Sequence, residues 1–300
     1  MDILRSPDDR FRDLPDFAFE PHYTTITDTD CNDIRIHHIE AGPKDGTPIL
    51  LMHGNPTWSY LYRHMINPLA KAGHRVIAVD LVGCGRSDKP LRKSDYSLVR
   101  HYDWMTRWLQ AMDLQDITLF CQDWGGTIGL YMVAQMPDRF TRVVASNTGL
   151  PTGSGSTRFF RMWRRAMRFA PRFPWFMVQN GTERTLSKAE MAAYRAPFPK
   201  RRFEAGLLKF PSLIAVEPNV PGVELNRAAW EKLKTFDKPF LLLFGRQDMV
   251  ARGWFRTGRD NIPGAKGQDH DILDPAGHFI QEDQPEELVK RILTFIKITS

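Results

Sequence analysis

Short apolar runs that each stop at a polar residue constrain this chain most. Pro48 to Met52 stops at His53-Gly54, and Arg75 to Val79 stops at Asp80. Ile117 to Cys121 stops at Gln122-Asp123, and Val143 to Ala145 lies in a run that stops near Asn147. Helical patterns fall between them, at Leu98 to Met112 and at Gly126 to Met136. Strands that are apolar throughout are buried on both faces, and strands alternating with helices build a parallel, doubly wound sheet. Ile34 to Ile39 alternates as a strand, and the first strand is expected near Ala18 to Thr27.

The pattern breaks after Leu150. Residues 151–225 hold no clear strand, are rich in Arg, Phe, Trp and Pro, and suggest helices at 157–169 and 187–194. The strand pattern returns at Pro239 to Gly245 and at Asp271 to Leu273, and a helix follows from Pro285 to Ile298. The expected organisation is an α/β core of residues 1–150 and 226–300, interrupted after its sixth strand by a helical cap of residues 151–225. Within the cap, Phe159, Phe160, Trp163, Met167 and Ala170 share one helical face, while Arg161, Arg164, Arg165 and Arg168 share the other. A solvated basic face explains the arginines. The apolar face has to cover something.

At 300 residues and 42% hydrophobic content, the chain can bury a full core. Its formal net charge of +6 raises the question of nucleic acid. Much of that excess sits between Arg158 and Arg172, and no nucleic-acid motif accompanies it, so no such partner is expected. Cys31, Cys84 and Cys121 are scattered, without metal-ligand spacing, and read as free thiols of a reducing compartment. The polar start does not resemble a secretory leader, and no apolar run approaches membrane-spanning length. A cytoplasmic protein is the expectation, and nothing demands more than a monomer.

Cys121-Gln122-Asp123-Trp124-Gly125-Gly126 is the strongest local signal. It follows an apolar run and opens a helix, where one large class of hydrolases places a nucleophile on a sharp turn, usually as G-x-S-x-G. Here Asp123 takes the central place, and Cys121 replaces the first glycine. An N-cap role for Asp123 is the plain alternative. His53-Gly54-Asn55-Pro56 follows the run at 48–52, where such folds place one oxyanion donor; the backbone N–H of Trp124 is the second. Asp248 lies in Gly245-Arg246-Gln247-Asp248, and His278 in Ala276-Gly277-His278-Phe279. The order Asp123, Asp248, His278 matches nucleophile, acid and histidine, each at the C-terminal end of a strand. Asp80 ends a different strand and reads as a turn or cap. Ser146-Asn147-Thr148 offers no carboxylate, which favours Asp248 as the acid.

With these residues assembled, the chain resembles the haloalkane dehalogenases nearly end to end. The resemblance rests on Ser6-Pro7-Asp8-Asp9-Arg10-Phe11, His53-Gly54-Asn55-Pro56-Thr57-Trp58-Ser59-Tyr60-Leu61-Tyr62-Arg63, and Asp80-Leu81-Val82-Gly83-Cys84-Gly85-Arg86-Ser87-Asp88-Lys89-Pro90. It continues through Gln122-Asp123-Trp124-Gly125-Gly126, Tyr194-Arg195-Ala196-Pro197-Phe198-Pro199 and Gly277-His278-Phe279-Ile280-Gln281-Glu282. It implies an α/β-hydrolase fold, with a mostly parallel eight-stranded sheet, helices on both faces and a helical cap after strand six. It implies no cofactor and no metal, a small haloalkane and water as substrates, and a halide ion as product. Asp123 corresponds to the family nucleophile, His278 to the base, Asp248 to the acid and Trp124 to a halide-binding tryptophan. The second halide donor differs among subgroups. Trp163 best corresponds to a cap tryptophan, and Asn55 to the asparagine used elsewhere, so this chain mixes two signatures. Phe159, Phe160, Phe210, Pro211 and Val250 are the expected apolar lining. An epoxide hydrolase shares the fold, the Asp nucleophile and the tryptophan, but needs two cap tyrosines; residues 151–225 contain only Tyr194.

Overall fold

The computed structural model describes residues 1–155 and 158–300, with Phe159 in its backbone only. Eight strands form the main sheet: β1 Pro21–Thr27, β2 Asp33–Ala41, β3 Pro48–Met52, β4 Arg75–Val79, β5 Ile117–Gln122, β6 Phe140–Ser146, β7 Phe240–Gly245 and β8 Asp271–Leu273. Their spatial order is β8-β7-β6-β5-β3-β4-β2-β1. From β8 across to β4 every pairing is parallel, while β2 runs antiparallel to both β4 and β1. Ile3–Leu4 and Lys89–Pro90 form a small separate antiparallel pair.

Alternation along the strands divides the core in two. Leu50 and Met52 of β3, Ile77 and Val79 of β4, and Leu242 and Phe244 of β7 face one layer. Ile49 and Leu51, Val76 and Ala78, and Leu241 and Leu243 face the other. On the first side lie α2 Leu98–Met112, α3 Asp123–Gln135 and α8 Val223–Leu233. On the second lie α1 Arg63–Lys71 and α11 Pro285–Ile298. Each large aliphatic side chain so buried contributes about 1.5–3 kcal/mol from water exclusion.

Helices α4 Arg158–Phe169, α5 Phe176–Asn180, α6 Lys188–Arg195 and α7 Ala205–Leu213 come between β6 and β7. Helix α4 packs on α7. Helix α8 runs across position 225 and packs on α3, so it belongs to the sheet's helical layer. After β7 come α9 Trp254–Asn261, then β8, then α10 Ile280–Asp283 and α11.

Expected and observed bounds coincide for β3, β4, β8, α2 and α11. Elsewhere they differ for physical reasons. The first strand begins at Pro21 rather than Ala18. Strand β6 extends from Phe140 across a charged residue: Arg142 is buried, its guanidinium donating to the Thr299 carbonyl at 2.9 Å. Helix α3 starts at Asp123, not Gly126, because the turn is so tight that Asp123 is itself the first helical residue. Helices α1 and α7 carry Pro68 and Pro211 inside them, which hid both from a periodicity argument. No helix among the described residues is long and apolar enough to cross a membrane.

Candidate active site

The site grows out of the C-terminal ends of β3, β5, β6, β7 and β8. Strand β5 is buried throughout, and the chain leaves it through Asp123 at φ +50°, in the left-handed region. That conformation costs a non-glycine residue about 1–3 kcal/mol and is tolerated where the surroundings fix it. Two carbonyl bonds do so: Asp123 N–H donates to the Asn147 carbonyl at 3.2 Å, and Thr148 Oγ1 donates to the Asp123 carbonyl at 2.6 Å. Close approach does the rest. A Cβ on Gly125 would meet the Met52 carbonyl oxygen at 2.1 Å, so only glycine lets α3 start against β3.

Asp123 Oδ1 accepts from the backbone N–H of Asn55 at 2.7 Å. The loop presenting that N–H is held by His53, whose Nδ1 bonds the Gly54 carbonyl at 2.7 Å and whose Nε2 accepts from Leu81 N–H at 3.0 Å. Asp80 proves a scaffold residue. Its buried carboxylate takes N–H bonds from Ser59 and Arg86, at 2.7 and 2.8 Å, and a bond with His37 at 2.7 Å. A Cβ on Gly54 would lie 2.1 Å from Asp123 Oδ1. Gly54→Ala is therefore expected to push the Asp123 carboxylate aside and reduce kcat by roughly 100-fold while the protein still folds. Bromide release measured alongside the thermal midpoint checks this.

Asp123 Oδ2 lies 3.4 Å from His278 Nε2, and His278 Nδ1 lies 3.0 Å from Asp248 Oδ1. The three sequence-predicted groups thus converge in a line. Asp248 is buried and its carboxylate is seated by N–H bonds from Val250, 2.8 Å, and Ala251, 3.2 Å. Burial opposes the Asp248 charge, yet the His278 ring and these N–H bonds hold its pKa below the ordinary carboxylate value. Burial likewise opposes a charged His278. The Asp248 carboxylate, with Asp123 on the other side, outweighs it and pushes the ring up to about 10. The resting arrangement is an imidazolium between two carboxylates.

Trp124 follows the nucleophile, is 5% exposed, and stacks obliquely on Phe210 with centroids 4.9 Å apart. Its indole N–H has no protein acceptor among the described residues, which leaves a donor over for something else. Phe210 and Pro211 are buried on α7. Trp163 is half-buried on α4, with its ring 5.4 Å from that of the half-buried Phe160. Asn55 turns its side-chain Nδ2 toward the Leu207 carbonyl of α7, at 3.4 Å. The side chain of Phe159 lies outside the described residues. Val250 departs from the expected lining: it is 68% exposed, because its backbone is committed to Asp248 and its side chain points away.

Two residues missed by sequence reasoning hold the loop of His278. Asn147, at the end of β6, donates from Nδ2 to the carbonyls of Gly277, 2.8 Å, and His278, 2.9 Å, and accepts from Gly245 N–H at 2.8 Å. Gln122 donates to the His278 carbonyl at 3.0 Å. The polar ends of buried strands were their only signal. Among the described residues, no cluster of three or more His, Cys, Asp or Glu is placed to hold a metal ion.

The model of the alpha/beta hydrolase fold family matches residues 47–285. A haloalkane dehalogenase of Psychrobacter cryohalolentis is 48% identical over 99% of this chain and 98% of its own. The chain belongs to the haloalkane dehalogenase family. A second member, from Mycolicibacterium paratuberculosis, is 47% identical over 98% of both chains. Among solved structures, the dehalogenase of Paraglaciecola agarilytica NO2, described as tetrameric, superposes with a TM-score of 0.89 at 31% identity, covering 99% of this chain and 98% of its own. In this dehalogenase, the carboxylate at the strand-to-helix turn stands where serine hydrolases place their hydroxyl.

Proposed function

We propose that this chain hydrolyses small haloalkanes to an alcohol, a halide ion and a proton through a covalent ester on Asp123. The observation that carries the reading is the aim of one carboxylate: Oδ1 is pinned by Asn55 N–H at 2.7 Å while Oδ2 faces His278 Nε2 at 3.4 Å. A saturated carbon offers no carbonyl to attack, and a carboxylate needs no base to activate it. An Asp123 oxygen attacks the carbon in line, and the carbon–halogen bond breaks with its electron pair leaving on the halide. The indole N–H groups of Trp124 and Trp163 receive that charge, with Asn55 as an additional or alternative donor. Phe160, Phe210 and Pro211 supply apolar surroundings, and residues 151–225 act as the cap that keeps the site dry.

Alkylation removes the Asp123 charge and with it one of the two supports of the imidazolium, so His278 falls toward its neutral form after the first step. Neutral His278 then takes a proton from water, whose oxygen attacks the ester carbonyl carbon. The oxyanion is met by the N–H groups of Asn55 and Trp124, at the positive end of α3. Collapse returns the Asp123 carboxylate and frees the alcohol, which takes the attacking water's second proton; His278 is again the imidazolium of the resting site, and the proton it gave to solvent after alkylation is the one released per turnover. Asp248 orients the ring throughout. Every group named comes from one chain, which suits a monomer, and three free cysteines suit a reducing, cytoplasmic setting.

Epoxide opening is disfavoured by a specific contact. The hydroxyl of Tyr194, the tyrosine of the cap, is buried and bonded to Glu282, away from any ring oxygen. The test is bromide and proton release from 1,2-dibromoethane beside consumption of styrene oxide. Bromide release with styrene oxide untouched is expected, and the reverse outcome refutes the reading. Trp163→Phe is expected to lower turnover roughly 100- to 1000-fold, as loss of one preorganised donor does. If Asn55→Ala has that effect and Trp163→Phe has none, Asn55 is the second halide donor.

A further inference from the structure

One carboxylate that the mechanism above leaves idle ties the loop of the base to the cap. Asp283 Oδ2 accepts from Gly277 N–H at 2.8 Å, one residue before His278. Its Oδ1 accepts from Glu183 N–H at 2.9 Å and Arg184 N–H at 3.0 Å, both in the cap. The two segments also touch directly. Phe279 N–H donates to the Gly181 carbonyl at 2.8 Å, and a Cβ on Gly277 would meet that same oxygen at 2.6 Å. Asn147 and Gln122 hold the carbonyl oxygens of this loop from the sheet side. Asp283 holds an N–H of the same loop.

The cap segment is itself anchored. The side chains of Arg63 and Glu282 are fully buried and joined by a two-pronged bond of 2.6 and 2.8 Å. Arg63 also bonds Glu190 of α6 at 2.9 Å, and Arg184 pairs with both Glu190 and Glu282. Residues 183–184 are thus a fixed point to which Asp283 moors the loop of the base.

We propose that Asp283 is a positioning residue for His278: its carboxylate clasps the loop of the base to cap residues 183–184, so that the seat of the cap sets the aim of the imidazole. The proposal rests on the assignment of Asp123 as nucleophile and His278 as base. The two half-reactions use the ring differently. Alkylation needs Asp123 and the halide donors. Ester hydrolysis needs Nε2 placed on the attacking water, where an error of about 1 Å costs on the order of 100-fold. A loosened clasp therefore slows the second step and spares the first.

Asp283→Asn and Asp283→Ala in the full chain test this, with 1,2-dibromoethane in rapid mixing, bromide release, and mass spectrometry of the quenched protein. Asparagine keeps the volume and one acceptor oxygen, so it serves Gly277 or the cap but not both. The expected result is a bromide burst at the wild-type rate followed by ester decay roughly 10- to 100-fold slower. The Asp123 adduct accumulates in the order Ala, Asn, wild type, and kcat and KM fall together. Equal slowing of both steps, a smaller burst with an unchanged ester lifetime, or no change in either variant overturns the proposal. If Asp283→Ala does not fold, the volume-matched Asn variant decides alone. A wild-type enzyme that releases no bromide sinks the parent reading instead, whereas wild-type turnover matched by both variants sinks only the clasp.

Discussion

Asp123→Ala should abolish bromide release from 1,2-dibromoethane, with kcat down roughly 10⁴- to 10⁶-fold, the range seen when a nucleophile is deleted. The expected size follows from geometry. Among the described residues, neither of the two buried carboxylates that also end strands nearby is free to replace it: Asp248 is spent on His278, Val250 and Ala251, and Asp80 on Ser59, Arg86 and His37. Alanine keeps a Cβ at the same left-handed φ, so the strain of the turn stays, while Asn55 N–H loses its acceptor. The thermal midpoint should hold or fall slightly, because the carboxylate's contacts with Asn55 N–H and the His278 ring are lost while the backbone strain remains. Unchanged bromide release by this variant ends the ester mechanism.

His278→Phe should separate the half-reactions. Alkylation needs only the nucleophile and halide donors, so one bromide per enzyme is released. The ester then persists, because water attacking it has no base, and steady turnover falls by roughly 10³-fold or more. Mass spectrometry of the intact protein should show one added bromoethyl group, and peptide mapping should place it on Asp123. Steady turnover near wild type would refute the base assignment. The variant has a second consequence. The wild-type imidazolium lies between two carboxylates, so its contribution to stability is complete below the ordinary histidine value of 6.5 and is lost as pH rises through about 10. The stability gap between wild type and His278→Phe should therefore narrow across that window.

The parts of this molecule that sequence made legible are those where local chemistry and local geometry coincide. A run such as Ile117 to Cys121 is apolar because it is buried on both faces, and the acid that ends it lies at the mouth of the sheet for the same reason. Asp123, Asp248 and His278 each follow such a run, so their convergence could be anticipated from order alone. Residues that act through distant backbone atoms could not be. Asn147 bonds carbonyls 130 and 131 positions away, and Asp283 bonds N–H groups 99 and 100 positions away; nothing near either residue records those partners. Val250 shows the opposite failure. Its apolar side chain suggested lining, but the fold uses its N–H and leaves the rest in water. The helices with internal prolines, α1 and α7, were hidden because tertiary packing overrides a local breaker.

The order of the strands has a consequence for how the enzyme comes into being. Gln122 and its partner His278 are 156 positions apart, and the whole helical insert is synthesised between them. The nucleophile's turn can form from β3, β5 and β6, but the histidine arrives only when β8 docks at the sheet's outer edge. Such long-range closure is slow compared with helix formation. During refolding, recovered helicity should therefore precede recovered catalysis, and chains stalled before the last strand docks would be compact yet inert.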